Sequence, residues 1–152
     1  MNIPNLSFME EVYCGLDILE QMDFEPIRGK SITVCISPGS VDRKGRHLLD
    51  VLQMQPDITI KYILVPEHGL FGKDDSRLKI IGDKIYDPVT GARIVDIFGR
   101  FVIPPKWALQ DVDLILIDLP DSGVRYSTFM TSITKIIEAA APLDIPVLVL
   151  DR

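Results

Sequence analysis

Five short apolar runs, separated by helical or irregular stretches, constrain this chain more than any other feature. Ile32-Thr33-Val34-Cys35-Ile36 is the first, and "ITIKYILV" (58–65), "ARIVDIF" (92–98), "DLILIDL" (113–119) and "PVLVL" (146–150) follow. Runs this short, β-branched and apolar predict strands buried on both faces. Between the first two, Leu48, Leu49, Val51 and Leu52 form one face of a helix that Pro56 ends. Between the last two, Phe129, Ile133, Ile136, Ile137 and Ala140 recur at helical spacing and stop before Pro142. Met9, Val12, Leu16 and Leu19 predict a further helix over 9–22, and a short one follows Pro104 and Pro105, with Trp107 and Leu109 turned inward. Strands alternating with helices imply a parallel sheet covered on both sides. Right-handed crossovers then give an α/β, Rossmann-like, doubly wound fold, its mainly parallel five-stranded sheet ordered 3-2-1-4-5 with helices on both faces. Residues 73–91 lack a clean period and end in the turn sequence "DPVTG" (87–91). They read as a long surface excursion with room for a hairpin.

The gross numbers narrow the function. At 152 residues the chain fits one domain with a proper core. A formal net charge of -6 and no basic stripe exclude a nucleic-acid footprint. No stretch reaches the ~20 apolar residues of a membrane span. The start, "MNIPNLSFMEEVYCG", lacks a basic segment followed by an apolar run, and so does not read as a signal peptide. Either the protein stays in the cytoplasm or a leader is absent from this version of the chain. Cys14 and Cys35 match no zinc or redox spacing, and Cys35 reads as a small buried hydrophobe. After the first strand, "SPGSVDRKG" has glycines only at 39 and 45. A dinucleotide fingerprint is thus missing, as is a Walker loop, and no cofactor is expected.

Ligands of such sheets sit outside the carboxyl ends of the strands. The residues there are Ser37, Gly39 and Ser40; Glu67 and His68; Gly99 and Arg100; Asp118, Asp121 and Arg125; and Asp151 with Arg152. Parallel strands gather these acids, arginines and one histidine on one edge. Each has a plainer role open to it: Asp118 and Asp121 as caps, Arg125 as their ion-pair partner, Ser37 to Ser40 as a tight turn, His47 as a surface residue of a helix. Glu67 is harder to dismiss. A carboxyl group just past a buried strand is open to desolvation, which suits it to general acid work near neutrality. No His, Cys and carboxylate set has metal-ligand spacing, so no metal is expected.

These residues fall into blocks. "VDRKGRHLLDVL" (41–52), "PEHGLFG" (66–72), "DPVTGARIVDIFG" (87–99), "IDLPDSGVRYSTF" (117–129) and "PVLVLDR" (146–152) resemble, in order and spacing, the bacterial exo-β-N-acetylmuramidase family, formerly a domain of unknown function. The resemblance runs from about Gly15 to the last residue. It implies an enzyme that removes N-acetylmuramic acid from the non-reducing ends of peptidoglycan fragments. It also implies a Rossmann-like N-terminal domain, a second C-terminal domain, and an active site in the cleft between them. Residues 1–152 are then expected to be the N-terminal domain alone, exposing an apolar patch that favours self-association. In the family, the glutamate of the Pro-Glu-His-Gly block is the favoured catalytic residue, and here it is Glu67, as general acid or nucleophile, with His68 orienting it. Asp118 and Asp121 are candidates for a second carboxylate or for sugar hydroxyl contacts, with Asp151 beside them. Arg125 and Arg152 suit the lactyl carboxylate of muramic acid, which a guanidinium grips through two parallel hydrogen bonds.

The chain also departs from the family pattern. Ser37-Pro38-Gly39-Ser40 lacks the asparagine usual after the first strand, Asp118-Leu119-Pro120-Asp121 lacks a glutamine, and a Gly-Glu pair is not visible in "KDDSRLKIIG" (73–82). The lost glutamine and glutamate favour a first rival, a non-catalytic muropeptide-binding module of the same fold. A second rival, a doubly wound domain binding a phosphorylated small molecule, is weakened by the missing glycine loop.

Overall fold

A computed structural model describes residues 11–67, 69–70, 79–82, 84–99 and 101–151. Its core is one sheet with two apolar layers. Strand β1 (Ser31–Ile36) lies at the centre, flanked in parallel by β2 (Thr59–Val65) and β6 (Leu114–Asp118). β5 (Arg93–Asp96) extends the sheet beyond β2, and β7 (Val147–Val149) extends it beyond β6, both in parallel. These five strands follow the predicted order. Two more, β3 (Lys79–Ile81) and β4 (Lys84–Tyr86), form an antiparallel hairpin that joins β5, so the sheet has seven strands ordered β3-β4-β5-β2-β1-β6-β7. The five-strand expectation is corrected by this hairpin. Its strands are three residues long and carry Lys79 and Lys84, a composition that leaves no apolar run in the sequence and discourages further pairing at an edge.

The pleat sorts the side chains. Ile32, Val34 and Ile36 of β1 join Ile63, Val65, Leu114 and Leu116 on one face, with Leu16 and Leu19 of α1 (Gly15–Gln21) and Leu48, Leu49, Val51 and Leu52 of α2 (Leu48–Leu52). Cys35, Leu64, Val95, Ile115 and Ile117 face the other way, against Ile136 and Ala140 of α3 (Phe129–Ala140) and against Ala108 and Leu109. Each fully buried leucine or isoleucine contributes roughly 1.5–3 kcal/mol over exposure. Helices thus cover both faces, as the apolar strands require.

Several local expectations change. Among the described residues α1 begins at Gly15, and 1–10 lie outside them. Phe129, Ile133, Ile136 and Ala140 hold α3 on the sheet, whereas Ile137 is 45% exposed. The segment after Pro105 is a single 3-10 turn, Lys106–Ala108, soon followed by Asp111 in the left-handed region. There Leu109 is buried, and half-buried Trp107 meets Tyr62 edge-on under the Arg93 guanidinium, 3.9 Å from its ring centre. The "DPVTG" turn forms: Asp87 accepts from the Thr90 N–H at 2.7 Å, and Gly91 adopts φ +72°.

Candidate functional site

Parallel pairing of β1, β2, β5, β6 and β7 brings the segments after these strands to one edge. Glu67, Asp118 and Asp151 all lie along it, because the strands before them point the same way. Pro66 leaves β2, Glu67 follows in a turn, and the Gly69 N–H returns to the Pro66 carbonyl at 3.3 Å. Gly69 has φ +71°, a conformation open to glycine at little steric cost. The chain thus turns sharply away from the Glu67 carboxylate.

That carboxylate lines a cavity of about 380 Å³ with Pro120, Ser122, Val124, Tyr126, Ser127, Thr128 and Phe129. Oε2 of Glu67 accepts a hydrogen bond from the Thr128 hydroxyl at 2.7 Å. Thr128 is the N-cap residue of α3, yet its hydroxyl caps no N–H of its own helix. Cavity wall and helix start are therefore tied to the end of β2 across 61 positions of sequence.

The loop after β1 closes the neighbouring side. Ser37 N–H donates to Ser40 Oγ at 3.0 Å, and the Ser40 hydroxyl donates to the Asp118 carbonyl. A Cβ on Gly39 would come within 2.9 Å of Pro120, so the absence of a side chain there lets the two loops touch. His47 is the N-cap of α2: its Nε2–H donates to the Ser37 carbonyl at 3.0 Å, while Nδ1 accepts from the Leu49 N–H at 3.3 Å. The surface role read for His47 is thus replaced by a bridge between loop and helix. Ser37 to Ser40 do form a tight turn, and the turn also fixes the end of β6.

The predicted residues separate. Asp118 is fully buried, in register with Ile36. Asp121 is exposed and accepts from the Gly123 N–H at 3.2 Å, a local turn contact. Arg125 is exposed, between Val124 and Tyr126, which line the cavity. Asp151 lines a different cavity, of about 410 Å³ beside α1, where its carbonyl accepts from the Gly15 N–H. His68, Arg100 and Arg152 lie outside the described residues. Among the described residues no three His, Cys, Asp or Glu side chains group as a metal site, and no helix is long and apolar enough to cross a membrane.

Sequence reasoning missed Thr128, and it missed two buried aspartates. Asp42 accepts from Lys44 N–H at 2.9 Å, Arg46 N–H at 2.7 Å and Arg46 Nε at 2.7 Å. Asp17 accepts from Cys14 N–H at 2.9 Å and Arg43 N–H at 3.0 Å. For Asp42, burial pushes the carboxyl up, but the N–H and guanidinium of Arg46 outweigh it and hold the group below its ordinary range. Asp17 behaves likewise: burial opposes, and the N–H groups of Arg43 and Cys14 prevail.

A parallel α/β domain with a carboxylate-bearing cavity at the carboxyl edge of its sheet defines the broad class. Comparison with known sequences gives the family. Residues 32–152 match the family described as exo-beta-N-acetylmuramidase NamZ, N-terminal, and the chain belongs to it. It is 30% identical over 145 residues to the peptidoglycan beta-N-acetylmuramidase NamZ of Bacillus subtilis (strain 168), covering 93% of this chain and 34% of that protein. Among solved structures, a DUF1343 family protein from Bacteroides fragilis NCTC 9343 superposes with a TM-score of 0.80 at 26% identity, over 92% of this chain and 34% of that one. A second from the same organism, at 24% identity and a TM-score of 0.74 over 94% of this chain and 35% of that one, shares the fold. The chain spans about a third of the length of these relatives.

Proposed function

We propose that this chain is the Rossmann-like, glutamate-bearing part of a glycosidase that releases N-acetylmuramic acid from the non-reducing ends of peptidoglycan fragments. The observation that carries the reading is the Glu67 carboxylate, fixed by Thr128 on the wall of a cavity large enough for a sugar ring. Family membership, and the activity named for the Bacillus subtilis relative, supply the substrate class.

An oxocarbenium-like transition state needs a proton delivered to the leaving oxygen or a carboxylate against the ring. Glu67 takes one of these roles, as general acid or as nucleophile, and His68 orients it. Asp118 and Asp121 remain the candidates for the second carboxyl group, and Arg125 and Arg152 for the lactyl carboxylate, with Asp151 at the same edge. The relatives are about three times as long, and in this reading a further domain closes the cleft from the other side. Residues 1–152 alone then hydrolyse little, since one wall gives poor positioning and poor exclusion of water.

The test is Glu67→Gln in the full-length protein, assayed on a muramic-acid glycoside after folding is checked. A loss of at least ~100-fold in turnover is expected, the lower end for a general acid or base. Near-normal turnover reassigns the role to Asp118 or Asp121. The missing glutamine and the missing glutamate of the Gly-Glu pair favour a second reading, a muropeptide-binding module without turnover. Saturable binding of N-acetylmuramic acid with no hydrolysis by the full-length protein would establish it.

A further inference from the structure

The Thr128 hydroxyl has an unusual employment. A threonine at an N-cap normally turns its oxygen inward to accept from an N–H of the first helical turn, which stabilises the helix. Here no such bond forms, and the hydroxyl instead reaches out of the helix as a donor to Glu67. At φ -80° and ψ -12° the residue has helical backbone angles, not the extended ones typical of a capping side chain. Its carbonyl is used within α3, accepting from Ser132 N–H at 3.0 Å and from Ser132 Oγ at 3.2 Å.

We infer that Thr128 is the positioning residue for Glu67: its hydroxyl locks Oε2, turns Oε1 toward the cavity, and holds the carboxylate at the positive end of α3. This rests on the catalytic reading of Glu67 only for its consequence in turnover. The geometry stands without it. Three features support the assignment. Glu67 sits in a turn beyond the end of β2, where the strand ladder no longer fixes its backbone, so a tether from outside that turn restricts it most. The tether comes from the most regular element nearby, a 12-residue helix whose Ile136 and Ala140 are locked in the core. Thr128 itself lines the cavity with Glu67, so the tether and the carboxylate belong to the same wall. A carboxylate also interacts favourably with the first turn of a helix, which compensates for the cap that α3 forgoes.

The conservative pair Thr128→Val and Thr128→Ser separates the hydroxyl from the shape. Valine matches the size of threonine without the donor, and serine keeps the donor. Crystal structures of the full-length variants provide the direct readout. Glu67 is expected to leave its observed position in Thr128→Val and to keep it in Thr128→Ser. In turnover on a muramic-acid glycoside, Thr128→Val is expected to lose about 10- to 100-fold in kcat, because misplacement of a reacting group by about 1 Å has effects of that size. KM should move less than about threefold, and Thr128→Ser should recover most of kcat. An unmoved Glu67 in Thr128→Val, or a serine variant as impaired as the valine one, overturns the assignment. If Glu67→Gln turns over normally while Thr128→Val still displaces the carboxylate, the positioning stands and the catalytic role of Glu67 falls.

Discussion

Two loops leave the same edge of the sheet and treat their carboxylates in opposite ways. After β1, Asp42 is enclosed and saturated, with two backbone N–H groups on one oxygen and the Arg46 guanidinium on the other. Asp17 and Glu20 of α1 complete this network through Arg43 and Arg46. After β2, Glu67 has one donor among the described residues, Thr128, and an open cavity. Both loops follow buried strands and both carry an acid, so position relative to the sheet does not distinguish them. What does is the number of donors. A saturated carboxylate has spent its acceptor capacity on holding the fold, whereas a carboxylate with lone pairs to spare can still meet a ligand.

The sharpest way to break this contrast is to remove each acid and read both stability and turnover. Asp42→Ala should destabilise the fold by about 1–2 kcal/mol, because it takes the acceptor from the Lys44 and Arg46 N–H groups and leaves Arg46 without its enclosed partner. Glu67→Gln should change stability by no more than about 0.5 kcal/mol, in line with substitutions away from saturated networks, while costing the ~100-fold in turnover. Urea denaturation beside the glycoside assay checks both. Equal destabilisation by the two changes would erase the distinction.

A smaller effect concerns acid. Asp42 and Asp17 are held below the ordinary range in the folded state. A carboxyl lowered on folding stabilises above its unfolded value, about 3.9 for aspartate, and this stabilisation is lost as pH falls through the folded value. Stability measured by urea should therefore begin to fall near pH 4 and continue downward. Asp42→Asn should be weaker at pH 7 yet lose less between pH 7 and pH 3, and parallel curves would show that Asp42 is not a source of the acid sensitivity. Smallest of all, His47→Ala should cost about 1 kcal/mol through the lost cap on α2, read as a shift in the urea midpoint at unchanged slope. A shift as large as that of Asp42→Ala would mean that His47 belongs to the network rather than beside it.

The same contrast explains what could be read in advance. The order of the five parallel strands was legible because burial on both faces demands apolar runs, and those runs survive in the sequence as "ITVCI" or "LILI". The hairpin of β3 and β4 falls inside 73–91, where the sequence left room for one, but its two three-residue strands with lysines carry no such demand and could not be placed or joined to the sheet in advance. Glu67 stood out because its neighbours are a strand end and a glycine turn, both local features. Thr128 was invisible, as its partner lies 61 positions away and a threonine ahead of a helix already has an ordinary explanation. Asp17 and Asp42 were hidden for a similar reason: Asp17 meets the Arg43 N–H only across 26 positions, and nothing in the sequence beside Asp42 shows that the fold buries it under donors.

The placement of β1 has a consequence for the making of the protein. β1 is among the first strands translated, yet one of its two neighbours is β6, and Ser31 N–H finds the Asp113 carboxylate 82 positions later. At roughly 5–20 residues per second, a ribosome takes on the order of 4–16 seconds to supply that partner. Throughout that interval the central strand of the sheet has one edge paired with β2 at best. A nascent chain arrested before residue 113 should therefore recruit holdase chaperones, and the same chain released beyond β6 should shed them.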